Sequence, residues 1–173
     1  ALALFRTQGK RDYEGRVLGG LGDANGDLER WQEAMKYHAS ALHLAREAGD
    51  KEDESMQLNS LAYAAYRANQ LAEAVMRYRQ ALHLAYESNN RDNIVSIIVD
   101  LSRLLLQHRP YITIAELLIN DALTFESNDK DVNQLVERIQ SEKELAEAYG
   151  TALKPVSGTA RDYAANAYQA LES

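Results

Sequence analysis

Histidines, carboxylates and glycine-rich loops are the groups from which a catalytic or metal centre could be built. His43 and His83 stand forty residues apart. At equivalent positions of packed helices they would lie about 10 Å apart, too far for one zinc ion, whose bonds to nitrogen are about 2 Å. Gly19, Gly20 and Gly22 follow no strand and precede no lysine, so small-residue packing explains them better than a phosphate loop. The sequence predicts no catalytic residue, metal ligand or cofactor.

A second set of side chains has the chemistry of recognition. Asn59 can exchange two hydrogen bonds with a peptide backbone, and Arg67 and Arg103 can bind carboxylates. Tyr63 and Tyr66 combine apolar area with a hydroxyl, a combination enriched in protein interfaces. The alternative interpretation is that these are simply exposed helix residues. Which one holds depends on the elements that carry them.

Those elements are units of a repeat. Shifting residues 15–54 by forty gives eleven identities without a gap. Self-similarity at a fixed period of this length is typical of helical repeat proteins. In the first copy the identical residues are Leu18, Leu21, Ala24, Glu33, Ala34, Ala41, Leu42, His43, Leu44, Ala45 and Glu47.

Apolar residues at three-four spacing predict helices at about 12–25, 28–48, 51–68, 71–88, 92–108, 111–126 and 130–149. Asn25, Gly26 and Asp27 are the predicted turn inside the first unit, with Asp27 capping the next helix. Gly49 is predicted to end the second helix in the left-handed conformation and Asp50 to cap the third. The predicted class is therefore all-α.

Composition limits the partners. The net charge of -7 argues against a nucleic-acid or anionic-membrane surface. No apolar run approaches the roughly 20 residues that span a bilayer. The chain has no cysteine, which excludes disulfides and thiolate sites and fits a reducing, cytoplasmic location. A protein or peptide partner is the remaining expectation.

Leu-x-x-Leu followed by a small residue, and then Ala-x-x-x-His/Tyr-x-x-Ala-Leu, resembles the tetratricopeptide repeat. The forty-residue period resembles the variety found in adaptors of the Pins and kinesin-light-chain kind and in sensor arms of bacterial regulators. The first unit carries this pattern at Leu18, Leu21, Gly22, Ala34, His38, Ala41 and Leu42. The second unit carries it at Leu58, Leu61, Ala62, Ala74, Tyr78, Ala81 and Leu82. In this pattern His38 replaces a core aromatic, and Trp31 fills the pocket of the usual tyrosine.

The resemblance implies a right-handed α-solenoid of antiparallel helix pairs, a superhelix whose first helices line a concave groove. Such a groove is an extended surface suited to a peptide. Taking Leu18 and Leu21 as core, the residues predicted to bind the peptide are Arg16, Asp23, Asn59, Tyr63, Tyr66, Arg67, Val99, Arg103 and Gln107.

The predicted organisation places the repeats in residues 1–150. They comprise a partial unit at about 1–14, units at 15–54, 55–94 and 95–130, and a partial unit at 131–150. Residues 151–158 are the expected linker. Residues 159–173 are expected to form a helix that caps the stack, with completion of a fourth unit or occupation of the groove as alternatives.

The leading hypothesis is a non-catalytic module that binds a partner's peptide or helix in the groove. The chain begins inside the pattern, because Ala1 and Leu2 match Ala41 and Leu42, so a larger adaptor or signalling protein is the expected parent. The alternative is a structural module through which that parent self-associates into a homo-oligomer.

Overall fold

Regular structure is helical throughout the residues that the computed structural model describes, which are 11–107, 111–125, 129–148 and 158–164. No strand occurs in these ranges, so the all-α class is confirmed. Contacts divide the chain into two compact units, Ala1–Asn90 and Arg91–Ser173. None of the described helices has the length and apolar character needed to cross a membrane.

In the compact unit Ala1–Asn90, four helices of 17 or 18 residues each pack against the next one along the chain. They are α1 (Arg11–Asp27), α2 (Trp31–Ala48), α3 (Lys51–Arg67) and α4 (Leu71–Ser88). Short turns between packed neighbours make consecutive helices antiparallel. The helix boundaries predicted for this unit agree with the observed ones to within three residues.

The four turns that follow α1, α2, α3 and α4 share one pattern of backbone hydrogen bonds. The Glu29 N–H donates to the Gly26 carbonyl oxygen at 2.8 Å, and the Arg30 N–H donates to that of Asn25 at 2.8 Å. This is the Schellman pairing, in which one residue takes the left-handed conformation. The same pair of hydrogen bonds recurs after α2, α3 and α4. The left-handed residues lie twenty apart, at Glu29, Gly49, Asn69 and Asn89.

The turn after α2 confirms the sequence prediction, whereas the turn after α1 corrects it. Gly49 is left-handed with φ 68°, and the Asp50 carboxylate caps α3 by accepting from the Asp53 N–H at 3.0 Å. Asp27, however, is the last residue of α1, and α2 starts after Arg30, which makes no side-chain cap. The prediction that Asp27 caps the second helix is therefore wrong, because Gly26 and Asp27 are taken into α1.

Ion pairs repeat every forty residues, the period of the helix pair. Arg11 lies 2.7 Å from Glu47, and Lys51 lies 2.9 Å from Glu87, so each first helix is joined at its start to the end of its partner. His43 and His83 each face the glutamate one turn further on, at 3.6 and 3.5 Å, instead of sharing a site. Exposed pairs of this kind contribute little stability. They do show that the two helix pairs have matching geometry.

Small residues lie where paired helices cross, as predicted. A Cβ on Gly22 would be only 2.5 Å from Nε2 of His38, and His38 is 4% exposed. Forty residues on, Ala62 and Tyr78 hold the equivalent positions and are fully buried. His38 therefore fills the place of a core aromatic and requires a glycine opposite.

The left-handed turn residue Glu29 suggests a stability test. A side chain other than glycine or asparagine is strained at its φ of 57°. Glu29→Asn is expected to raise the free energy of unfolding by about 0.5–1 kcal/mol, measured by urea denaturation. The converse change Asn69→Glu should lower it by a similar amount. Equal stability of all three proteins would contradict the assigned turn geometry.

The compact unit Arg91–Ser173 contains α5 (Arg91–Leu105), α6 (Ile112–Phe125), α7 (Lys130–Ala148) and a helical stretch at 160–164. Lys143 on α7 lies 2.7 Å from Glu116 on α6. The Thr159 hydroxyl accepts from the Asp162 N–H at 3.1 Å, and Asp162 accepts from the Thr159 N–H at 2.8 Å. These bonds form a capping box. The Thr159 hydroxyl also donates to Oδ2 of Asp162 at 2.8 Å, and this bond, followed by the one from the Thr159 N–H, holds the pKa of Asp162 below its ordinary value.

The start of the predicted C-terminal helix is thus observed. The remainder of that helix, and the predicted linker apart from Gly158, lie outside the described residues.

Candidate functional site

The first helices of the two pairs, α1 and α3, lie side by side. A Cβ on Gly19 would lie 3.3 Å from Nε2 of Gln57, and one on Gly15 would lie 3.9 Å from Oδ2 of Asp53. The order Gly15 to Gly19 on α1 matches the order Asp53 to Gln57 on α3, so the two helices run in the same direction. Glycine allows this approach because it has no side chain to separate the axes.

Between these helices lies a cavity of about 580 Å³, here named the α1–α3 cleft. Its third side is the end of α2. Gly20 lies on the open side, because a Cβ there would meet no atom within 4 Å. The α1 wall is Arg11, Gly15, Arg16, Gly19, Gly20 and Asp23. The facing wall is Asp50, Glu52, Asp53, Met56 and Gln57.

A chain of polar contacts joins three helices beneath the cleft. Gln57 Nε2 donates to Oδ1 of Asp53 at 3.0 Å, which leaves the Gln57 amide oxygen to accept. Nδ1 of His38 lies 3.1 Å from that oxygen, within hydrogen-bond distance. Nε2 of His38 then faces Oδ1 of Asp23 at 3.6 Å. These contacts fix the position of Gln57 and leave the Asp23 side chain 71% exposed beside the cleft.

Along α3 the cleft continues into a line of larger side chains, here named the α3 stripe, which consists of Met56, Tyr63 and Arg67. Met56 lines the cleft and is 49% exposed, and Tyr63, two turns further on, is 39% exposed. The Tyr63 ring meets Trp31 edge to face, with centroids 6.0 Å apart. Arg67 covers both rings, with its guanidinium carbon 4.4 Å from the Trp31 centroid. Its cation is therefore held in a fixed place on the surface.

Arg67 is also bonded to the residues around it. Its Nη1 donates to the Tyr63 hydroxyl at 2.9 Å, and its Nη2 lies 3.7 Å from Oε1 of Glu29. The bond to Tyr63 is the main reason why the pKa of Arg67 lies above its ordinary value, and Glu29 adds to the effect. With the stacking on Trp31, these contacts fix the orientation of the guanidinium at the end of α3.

Six of the predicted binding residues lie on α1 and α3 of the compact unit Ala1–Asn90. Arg16 and Asp23 are exposed on α1 in the cleft wall, while Tyr63 and Arg67 lie on the α3 stripe. Tyr66 and Asn59 are half-buried. The side-chain oxygen of Asn59 is buried and has no hydrogen-bond partner among the described residues.

The three predicted residues of the compact unit Arg91–Ser173 differ in exposure and in contacts. Val99 is 6% exposed, since α5 buries residues on nearly every side, so it offers a partner almost no surface. Arg103 lies 2.9 Å from Asp131 and 3.7 Å from Asp100, so its cation already faces two carboxylates. Gln107 is exposed.

Asp100 in this cluster predicts a pH dependence. Burial raises its pKa, nearby Asp131 raises it further, and Arg103 opposes both. A raised pKa means that the folded state binds more protons than the unfolded one, so this carboxyl costs stability as pH rises above the ordinary aspartate value of about 3.9. Asp100→Asn should therefore be more stable than the parent at about pH 7, with a difference that shrinks towards about pH 3.

Urea midpoints measured across this pH range test the prediction. Glu137→Gln, which removes an exposed carboxylate from α7, should show no such trend. A less stable Asp100→Asn protein at neutral pH would mean that attraction to Arg103 outweighs the cost of burial.

Sequence reasoning missed the cleft and part of the stripe. Gly19 was correctly interpreted as packing, but Gly20 faces open space. The spacing of Gly15, Gly19 and Gly20, which puts three glycines on one side of a helix, was the available signal. Trp31 is predicted to fill the pocket of the usual tyrosine; in the structure it is half-buried and lies beneath Arg67, a contact that the sequence did not indicate.

Comparison of the chain with models of known protein families finds no match. A search of curated proteins likewise finds no similar sequence.

Proposed function

We propose that this chain is a non-catalytic protein-interaction module, a tetratricopeptide-like solenoid that binds a partner's peptide on its first helices. The repeat geometry supports the architecture. The same left-handed turn every twenty residues, and the same ion pair every forty, give each helix pair the same shape. Identical pairs stacked at a constant offset generate a superhelix.

The observation that carries the binding role is the continuity of the α1–α3 cleft with the α3 stripe. The cleft provides a concave space, and Met56 and Tyr63 provide exposed apolar area along its extension. Met and Tyr are both enriched in protein interfaces, where Met adapts to irregular shapes and Tyr supplies rigid contact area. A surface with this shape and composition suits a peptide several residues long.

Asn59 fits the same role. Its buried oxygen lacks a hydrogen-bond partner within the described residues, and an unpaired buried polar group costs stability. We propose that this amide exchanges hydrogen bonds with the backbone of a peptide lying along α3. Binding would then give the Asn59 oxygen a hydrogen-bond partner that the described part of the chain does not supply.

A displayed library of random peptides, selected on the immobilised protein, provides the test. Tyr63→Ala is expected to weaken the selected peptides by at least about tenfold, because a central aromatic anchor is lost. Tyr13→Ala is the matched control, since Tyr13 is 50% exposed on α1 and does not line the cleft. Equal affinities for Tyr63→Ala and the parent, or a selection without enrichment, would refute the proposed surface.

A further inference from the structure

The charges around the α1–α3 cleft are unbalanced. Its walls carry four carboxylates, those of Asp23, Asp50, Glu52 and Asp53, against the two guanidinium groups of Arg11 and Arg16. Arg11 lies 2.7 Å from Glu47, which does not line the cleft. The carboxylate of Glu47 therefore offsets much of the positive charge that Arg11 would bring to the cleft. The cleft therefore presents a negative potential to an incoming ligand.

Asp23 is the carboxylate best placed to act on a ligand. It follows Gly20 by one turn on the same face of α1 and is 71% exposed. The one contact recorded for it in the described structure is His38 Nε2, at 3.6 Å. Asp50, Glu52 and Asp53 lie at the start of α3, where the helix dipole offsets part of their charge. Asp23 lies near the end of α1, where the dipole adds to it.

The shape of the cleft suits a long side chain. From Gly15 to Gly20 the α1 wall rises about 7.5 Å, and the three glycines on it project no side chain. Met56 on the opposite wall offers apolar contact. Lysine and arginine side chains pack an apolar stem along such a surface and keep the charged end at a polar one.

We infer that the α1–α3 cleft receives an arginine or lysine side chain of the partner peptide, with its charged end against Asp23. This inference rests on the proposed peptide-binding function and adds the chemical class of residue that the peptide must supply. It assigns the α3 stripe to the apolar part of the same peptide.

The direct test uses a probe that needs no known partner, N-acetyl-arginine methylamide, titrated into the nitrogen-15-labelled protein and followed by NMR. The amide signals of Gly19 and Gly20 are expected to shift saturably, with a dissociation constant on the order of millimolar. The corresponding citrulline compound has the same shape without the charge. It should bind at least about fivefold more weakly, and added salt should reduce the difference.

Two variants separate the cleft from general attraction to an acidic protein. Asp23→Asn should weaken the arginine probe at least about fivefold, whereas Asp27→Asn, one turn further along α1 and outside the cleft lining, should not. Equal shifts with both probes, no saturable shift at the glycines, or an unaffected Asp23→Asn protein would each overturn the inference. Those outcomes leave the Tyr63 experiment intact, so failure here is distinct from failure of the proposed function.

Discussion

Gly22→Leu is expected to lower the free energy of unfolding by about 3 kcal/mol, the largest effect on stability predicted for this chain. A single Cβ at this position would already lie 2.5 Å from His38 Nε2 and 2.6 Å from its Cε1. The imidazole cannot easily move away, because it is buried and in contact with the Gln57 amide oxygen. The added side chain must therefore push α1 and α2 apart. Urea denaturation followed by circular dichroism measures the loss.

Gly20→Leu is the matched control for this prediction. The two glycines are two residues apart in α1, but a Cβ at Gly20 would meet nothing within 4 Å. Leucine is the better helix former by about 0.5–1 kcal/mol, so this variant should be as stable as the parent or slightly more so. A Gly22→Leu protein as stable as Gly20→Leu would show that α1 and α2 do not cross at Gly22.

The same Gly20→Leu variant is expected to have the largest effect on binding, a loss of about a hundredfold for peptides selected on the parent. The leucine side chain would project into the α1–α3 cleft, whose volume is about 580 Å³, and occupy the space assigned to the ligand. Because the fold tolerates the change, reduced affinity would report a blocked site and not an unfolded protein. Isothermal titration calorimetry gives the affinities.

Ala24→Leu provides the comparison. Ala24 is exposed on α1, one turn beyond Gly20, and does not line the cleft, so its replacement adds similar bulk elsewhere on the helix. It should leave affinity unchanged. Peptides that bind Gly20→Leu as tightly as the parent would place their site outside the cleft.

The helices could be predicted because each depends on local signals. Gly49, Asn69 and Asn89 are residues that adopt the left-handed conformation readily, and they mark three of the four turns in the first unit. The remaining turn, which follows α1, has Glu29 in the left-handed conformation, and the sequence carries no such signal there. The predicted turn was therefore placed at Asn25–Asp27, three residues early. The period of twenty residues between the left-handed positions would have located it.

The candidate site was predictable only in part. The forty-residue shift placed Tyr63 and Arg67 on an exposed face of α3, because surface positions follow from helix geometry once the core is known. It did not show that Trp31 lies beneath Arg67, since that contact joins the first residue of α2 to the last residue of α3, which are far apart in the sequence. The cleft exists because Gly15, Gly19 and Gly20 have no side chains to fill it. Hydrophobic periodicity identifies only positions that carry an apolar side chain. Val99 is predicted to face the groove but is buried, because α5 buries residues on almost all sides.

The most direct test of the binding surface is an NMR map of the contact made by one selected peptide. Amide shifts in the nitrogen-15-labelled protein are followed during titration. We predict that the largest changes fall on Gly19, Gly20, Asn59, Tyr63 and Arg67, which lie on α1 and α3. Largest changes confined to α2 and α4, or to α6 and α7, would contradict a peptide-binding surface on the first helices.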